Sequence, residues 1–185
     1  LDLFNIADGC FSPLTGFMSR NDFLKVLEDW ALEDGTTWPI PIVLDIDSSK
    51  AEKIDPGDEI LLENSDGKVV GTITAGEIYR YDTENTCEKL FGTTDSEHPG
   101  VQLFEEKDDF FIGGEIKALP GKEAHPDPRN LSPKETRVLF KENGWDTVVG
   151  FQTRNVPHRA HEYLQKSGLE NVDGLLIQPK IGKKK

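Results

Sequence analysis

The residues best equipped for chemistry lie together, in Gly150-Phe151-Gln152-Thr153-Arg154-Asn155-Val156-Pro157-His158-Arg159-Ala160-His161-Glu162. Arg154 carries a guanidinium, which can grip a tetrahedral oxyanion through two parallel hydrogen bonds in a way that a lysine ammonium cannot reproduce. Gln152 and Asn155 add neutral amide donors. His158 and His161 are three apart, so they share one face if they open a helix. Thr153 and Asn155 are also common turn formers. A helix start in this stretch would add unpaired backbone N–H groups and the positive end of a dipole. The shared chemistry is the binding of phosphate or sulfate.

These groups need a strand before them and a helix after them. Residues 146–151 read as a short buried strand, and residues 157–166 as a helix with Pro157 in its first turn. The carboxyl ends of such strands are where α/β proteins bind ligands. Upstream, Ser132-Pro133-Lys134-Glu135 has the pattern of a capping box, with Ser132 as N-cap, Pro133 at N1 and Glu135 at N3. Val138, Leu139 and Phe140 supply that helix with apolar surface, and Gly144 fits its C′ position. Gly168 is expected to end the histidine-bearing helix, and residues 174–179 read as the next buried strand. Helix, strand, turn, helix, strand is the opening of a parallel α/β domain with a right-handed crossover, here assigned to residues 130–185. Two strands fall short of the roughly five that a doubly wound sheet needs, so the domain is read as truncated and the 185-residue chain alone as having little or no activity.

Residues 1–129 read differently, as a helical opening followed by mixed β structure. Ser19 with Asp22 resembles a capping box, after which Phe23, Leu24, Leu27 and Trp30 fall on one helical face. Residues 40–46 and 59–62 are apolar strands, with Asp55-Pro56-Gly57-Asp58 as a turn between them. Asn64-Ser65-Asp66-Gly67 is a hairpin signal leading into a strand over 69–79, where Val69, Gly71, Ile73 and Ala75 share a face. Residues 110–119 form another strand. The three prolines and one glycine within residues 120–129 mark a linker.

Composition bounds the function. Charged residues make up 30% and hydrophobic residues 36% of the chain, values that suit a soluble, cytoplasmic protein. No apolar run approaches the roughly 18 residues of a membrane span, and no signal-peptide pattern opens the chain. Cys10 and Cys87 are too few for a disulfide framework or a thiolate metal site. The net charge of −13 is unevenly spread: residues 1–130 hold 28 Asp and Glu against 11 Lys and Arg, whereas residues 131–185 hold 6 against 10. A basic segment within an acidic chain can focus positive potential where anions enter, while the overall sign disfavours nucleic acid.

Gln152-Thr153-Arg154-Asn155 followed by His158-x-x-His161 resembles the signature of the ATP sulfurylase (sulfate adenylyltransferase) family of nucleotidyltransferases. Gly9-Cys10-Phe11-Ser12-Pro13-Leu14-Thr15-Gly16-Phe17-Met18 resembles that family's N-terminal motif, with Cys10 where a small residue is usual. Trp38-Pro39-Ile40-Pro41-Ile42 and Gly113-Gly114-Glu115-Ile116 extend the likeness over nearly the whole chain. Pro157 stands one place later than in many relatives, although the spacing from Asn155 to His158 is kept. The resemblance implies a PUA-like barrel followed by the start of a Rossmann-like nucleotidyltransferase domain. It implies the reaction of ATP with sulfate to give adenosine 5′-phosphosulfate and pyrophosphate, with Mg²⁺ accompanying ATP, in a protein that is a homo-oligomer at full length. It assigns sulfate to Gln152 and Arg154, the shaping of the reacting loop to Thr153 and Asn155, and ATP phosphates to His158 and His161.

Other readings compete. The same turn serves a nucleotidyltransferase with a different acceptor, or a non-catalytic anion-binding module. His158, His161 and Glu162 could instead bind zinc, but the His-Glu-x-x-His pattern is missing and no third ligand is evident. Arg159 and Glu162 read as helix surface, and His98 and His125 carry no pattern.

Overall fold

In the computed structural model the described residues are 1–119 and 131–180. The chain divides into two compact units, Leu1–Asn130 and Leu131–Lys185. The expected linker at 120–129, His125 and the lysines at 183–185 lie outside the described residues.

In the first unit the elements run α1 (Asp2–Ala7), β1 (Gly16–Phe17), α2 (Arg20–Asp29), β2 (Asp45–Ile46), α3 (Ser48–Ala51), β3 (Glu59–Glu63), β4 (Val69–Arg80), α4 (Thr83–Phe91), α5 (Pro99–Glu105) and β5 (Phe110–Ala118). Their sheet is antiparallel, in the order β1-β5-β4-β3. Strand β4 occupies one edge of β5 along its length, so β1 and β2 both pair with the other edge. The 64–67 turn joins β3 to β4 as read from sequence: the Asn64 side chain accepts from the N–H groups of Asp66 and Lys68, and Gly67 takes φ 74°, which its missing Cβ permits. Gly71, Ile73 and Ala75 are buried on one face of β4. A bulge after Ala75 then interrupts the alternation, and Tyr79 reaches the interior with its hydroxyl donating to the Met18 carbonyl at 3.0 Å.

Two expectations need correction here. Ser19 does cap α2, accepting from the Asp22 N–H at 3.1 Å, but the buried face is Phe23, Val26 and Leu27. Leu24 and Trp30 are exposed: Leu24 lies about 100° round the helix from Phe23, and Trp30, the left-handed C-cap (φ 54°), has already left the helical path. The strand expected over 40–46 shrinks to Asp45–Ile46, since Pro39 and Pro41 offer no N–H to a ladder. Only isolated bonds hold its earlier part, such as Met18 N–H to the Ile42 carbonyl at 3.0 Å. The sequence reading also passed over α4 and α5, capped by Asp82 and His98. With α2 and the sheet they enclose an aromatic core of Phe23, Tyr79, Phe104 and Phe111 around Cys87.

The second unit consists of α6 (Pro133–Glu142), β6 (Val148–Thr153), α7 (Arg159–Leu169) and β7 (Gly174–Pro179). The capping box of α6 forms in both directions: the Ser132 hydroxyl accepts from the Glu135 N–H, and the Glu135 carboxylate accepts from the Ser132 N–H at 2.7 Å. At the other end Gly144 (φ 68°) donates to the Lys141 carbonyl and Trp145 to that of Phe140, the paired bonds of a Schellman motif. The Phe140 and Trp145 rings, 6.0 Å apart, add its hydrophobic contact. Strands β6 and β7 are parallel, with Val148 opposite Gly174 and Gln152 opposite Gln178. Asp173 clasps the start of the pair, accepting from the Thr147 hydroxyl and from the N–H groups of Asp146 and Thr147.

Three details differ from expectation. The strand expected over 146–151 runs instead over Val148–Thr153, so Gln152 and Thr153 belong to it rather than to the turn. Helix α7 begins after Pro157, not around it, because His158 takes the N-cap. Gly168 lies inside α7 rather than ending it; a Cβ there would come within 3.2 Å of Val149 Cγ1, so the glycine admits close packing of α7 on β6.

Candidate active site

Strand β6 delivers the polar run to the carboxyl end of the parallel pair. Its last residue, Thr153, is 8% exposed and is tied on both sides. The Thr153 carbonyl accepts from Lys180 N–H at 2.7 Å, and its hydroxyl accepts from Asn155 N–H at 3.0 Å. That second bond folds the chain back over the strand end, as a hydroxyl-mediated turn does. Arg154 and Asn155 are left exposed at the tip of the turn. Arg154 makes no ion pair among the described residues, so its guanidinium is available to an anion from solution.

Helix α7 starts three residues after Asn155. The His158 Nδ1 accepts from Ala160 N–H at 3.3 Å, so the imidazole acts as the cap, a role more often taken by Ser, Thr, Asn or Asp. The His158 ring stacks on that of His161, with centroids 4.1 Å apart and planes inclined by 25°. Their three-residue spacing thus places both on one face, as expected. His161 also meets the Phe151 ring edge-on at 5.6 Å. Beyond it Glu162 pairs with Lys166 at 2.6 Å, and that hydrogen bond and charge hold the Glu162 carboxyl below its ordinary value.

Strand alternation determines how these groups face one another. Val149 packs beneath Gly168, and Phe151 touches His161, so the odd-numbered residues of β6 face α7. Gln152 therefore projects from the opposite face of the sheet. Gln178, in register with it on the neighbouring parallel strand, projects beside it. A Cβ added at Gly150, on that same face, would meet nothing within 4 Å. The structure thus brings Thr153, Asn155, His158 and His161 into one turn and its helix start, and sets Gln152 across the sheet from the histidines. Sequence reasoning passed over Gln178, which only the strand register reveals, and Gln165, which lies one helical turn after His161.

What the arrangement can do follows from its donors. Arg154, the amides and the first N–H groups of α7 are suited to oxyanions, and among the described residues no carboxylate is paired with Arg154. Among the described residues no group of three His, Cys, Asp or Glu could hold a metal ion. Concavities in the first unit are poorer candidates: one is lined by Ile54, Ala75 and Phe110 with Glu52 and Glu77, another by glycines with Asp22, Glu77 and Glu115. Their charge has the wrong sign for an anion.

Comparison with known proteins bears on the same segments. Residues 1–121 match the family of PUA-like domains, and residues 127–185 match the ATP-sulfurylase family. The chain is 45% identical over its whole length to a sulfate adenylyltransferase of Cenarchaeum symbiosum, covering 49% of that protein. It is 47% identical to one of Pyrococcus abyssi, again over its whole length and 48% of the relative. The chain spans about half the length of the curated relatives it matches. Among solved structures, one described as a hexameric APS kinase from Thiobacillus denitrificans is similar over 99% of this chain and 32% of its own, with a TM-score of 0.68 and 27% identity. Over residues 1–121 the chain therefore belongs to the family of PUA-like domains, and the segment that follows it, residues 127–185, is similar to ATP-sulfurylase.

Proposed function

We propose that the full-length protein is a sulfate adenylyltransferase, joining ATP and sulfate to give adenosine 5′-phosphosulfate and pyrophosphate in a reversible reaction. The observation that carries this reading is the turn after β6, where an unpaired Arg154 stands at the tip and two stacked histidines open the next helix. In this reaction a sulfate oxygen attacks the α-phosphorus of ATP as the bond to the bridging β-phosphate oxygen breaks, and pyrophosphate leaves with that electron pair. No protein nucleophile is needed. The protein has to align two anions that repel each other and stabilise charge on the transferring and leaving groups.

In this reading Arg154 and Gln152 hold sulfate. Thr153 holds the turn through its bond to Asn155, and Asn155 offers its amide to the reacting phosphate. His158 and His161 contact ATP phosphates, with the start of α7 adding its backbone N–H groups. Mg²⁺ enters with ATP as part of the substrate, carried by the phosphates. The first unit is then a PUA-like barrel, residues 130–185 the opening of a Rossmann-like domain, and the whole protein a cytoplasmic homo-oligomer.

Pyrophosphate release by the full-length protein, wild type against Arg154→Lys, tests the assignment. A point charge replaces a bidentate fork, and loss of such a donor lowers the rate by about 100-fold or more. An unchanged rate in the variant removes Arg154 from the sulfate site, and binding of ATP and sulfate without pyrophosphate release by wild type removes the catalytic reading.

A further inference from the structure

Two side-chain nitrogens of α7 stand out among the described residues of the second unit. His161 Nδ1 and Gln165 Nε2 are both buried from solvent, and neither has a hydrogen-bond partner. A buried polar atom left unpaired costs about 1–3 kcal/mol, so two of them close together call for an account. They are four residues apart on one helix, which brings their Cβ atoms to about 5–6 Å on the same face. One is the ring nitrogen of a histidine and can accept. The other is a carboxamide NH₂ and can only donate.

We propose that Gln165 is a positioning residue for His161: its Nε2–H donates to the unpaired Nδ1 and so holds the imidazole as the Nε2–H tautomer. The side-chain torsions of Gln165 let its carboxamide turn toward the ring one helical turn before it, and among the described residues neither atom has a hydrogen-bond partner. The consequence is chemical. With Nδ1 occupied as an acceptor, Nε2 is the nitrogen that keeps its proton, and a neutral His161 meets a phosphate oxygen as a donor rather than repelling it with a lone pair. Stacking on His158 and the edge contact with Phe151 restrain the plane of the ring, leaving Gln165 to choose its tautomer. The role of this proton rests on the assignment of His161 to ATP phosphates. The tautomer itself does not.

The test reads the ring nitrogens directly, by long-range ¹H–¹⁵N correlation spectroscopy of His161 at a pH where the imidazole is neutral. Wild type is expected to show the Nε2–H form. Gln165→Met, similar in length but without a donor, is expected to release the ring to a mixture of tautomers. Gln165→Glu, which replaces a donor by an acceptor, is expected to move the proton to Nδ1. A wild-type ring in the Nδ1–H form overturns the proposal without recourse to any variant, and so does an unchanged tautomer in a folded Gln165→Met. If the tautomer shifts as expected but pyrophosphate release by the full-length protein is unaffected in Gln165→Met, the positioning role stands and the assignment of His161 to phosphate fails.

Discussion

Glycine and threonine do more of the local work in this chain than their size indicates. Gly16, Gly113 and Gly114 lie where β1, β5 and β4 meet, and a Cβ on Gly114 would stand 2.1 Å from the Thr74 carbonyl oxygen and 3.0 Å from Gly76 N. Both obstacles are backbone, so neither can swing aside. Gly114→Ala is therefore expected to lower stability by about 1–3 kcal/mol or more, read as a fall in the urea midpoint with little change in slope. The sequence made Gly113-Gly114 visible as part of a resemblance, but not its cause, because a strand-to-strand approach joins residues distant in the chain. Thr153 was legible as a turn former, and the structure gives that a mechanism in the bond from Asn155 N–H to its hydroxyl. Gln165 was not legible at all. A glutamine in an amphipathic helix looks like surface until its nitrogen is found buried.

At the scale of elements, local signals were read best where the chain supplies its own partners. The box at Ser132 and Glu135, the turn at Asn64 to Gly67 and the cap at Ser19 are closed by residues within four positions, so their spacing alone announces them. Ser132→Ala leaves the Glu135 N–H without its acceptor and is expected to destabilise the second unit by about 1 kcal/mol. Amide exchange should accelerate first in the opening turn of α6, and uniform protection across that turn would contradict the capping role. Elements decided by distant packing were missed or misplaced. Helices α4 and α5 bury one side against α2 and the sheet, and their short apolar runs do not reveal that partner. The strand expected over 40–46 failed for the opposite reason, since its prolines outweighed its hydrophobicity.

Across the whole molecule, acid sensitivity is distributed between the two units. In the first, burial works against ionisation of Asp45, but a 2.8 Å hydrogen bond from Lys107 and its charge outweigh it and hold the carboxyl below its ordinary 3.8. In the second, the Thr147 hydroxyl and backbone bonds hold Asp173 below 3.8 as well. Depressed folded-state values mean stability that is present above 3.8 and lost as the pH falls through the lower, folded values. Urea midpoints measured across that window should drop, and Asp45→Asn should flatten the part of the drop that belongs to the first unit; an equally steep profile in the variant would refute the linkage. The sequence predicted the uneven charge, 28 acidic against 11 basic residues in 1–130 and 6 against 10 in 131–185, but not where single carboxylates find partners. The opposed facing of Gln152 and His161 has a consequence at this scale. A ligand that touches both must reach around the carboxyl edge of β6, which a single tetrahedral ion is too small to do. Two separate ions must each be captured from solution, whereas a molecule carrying both charges on one frame meets the second face at the effective concentration its own length sets. The sheet edge is in this sense a gauge, and it favours an extended anion that carries two charged groups over a single small one.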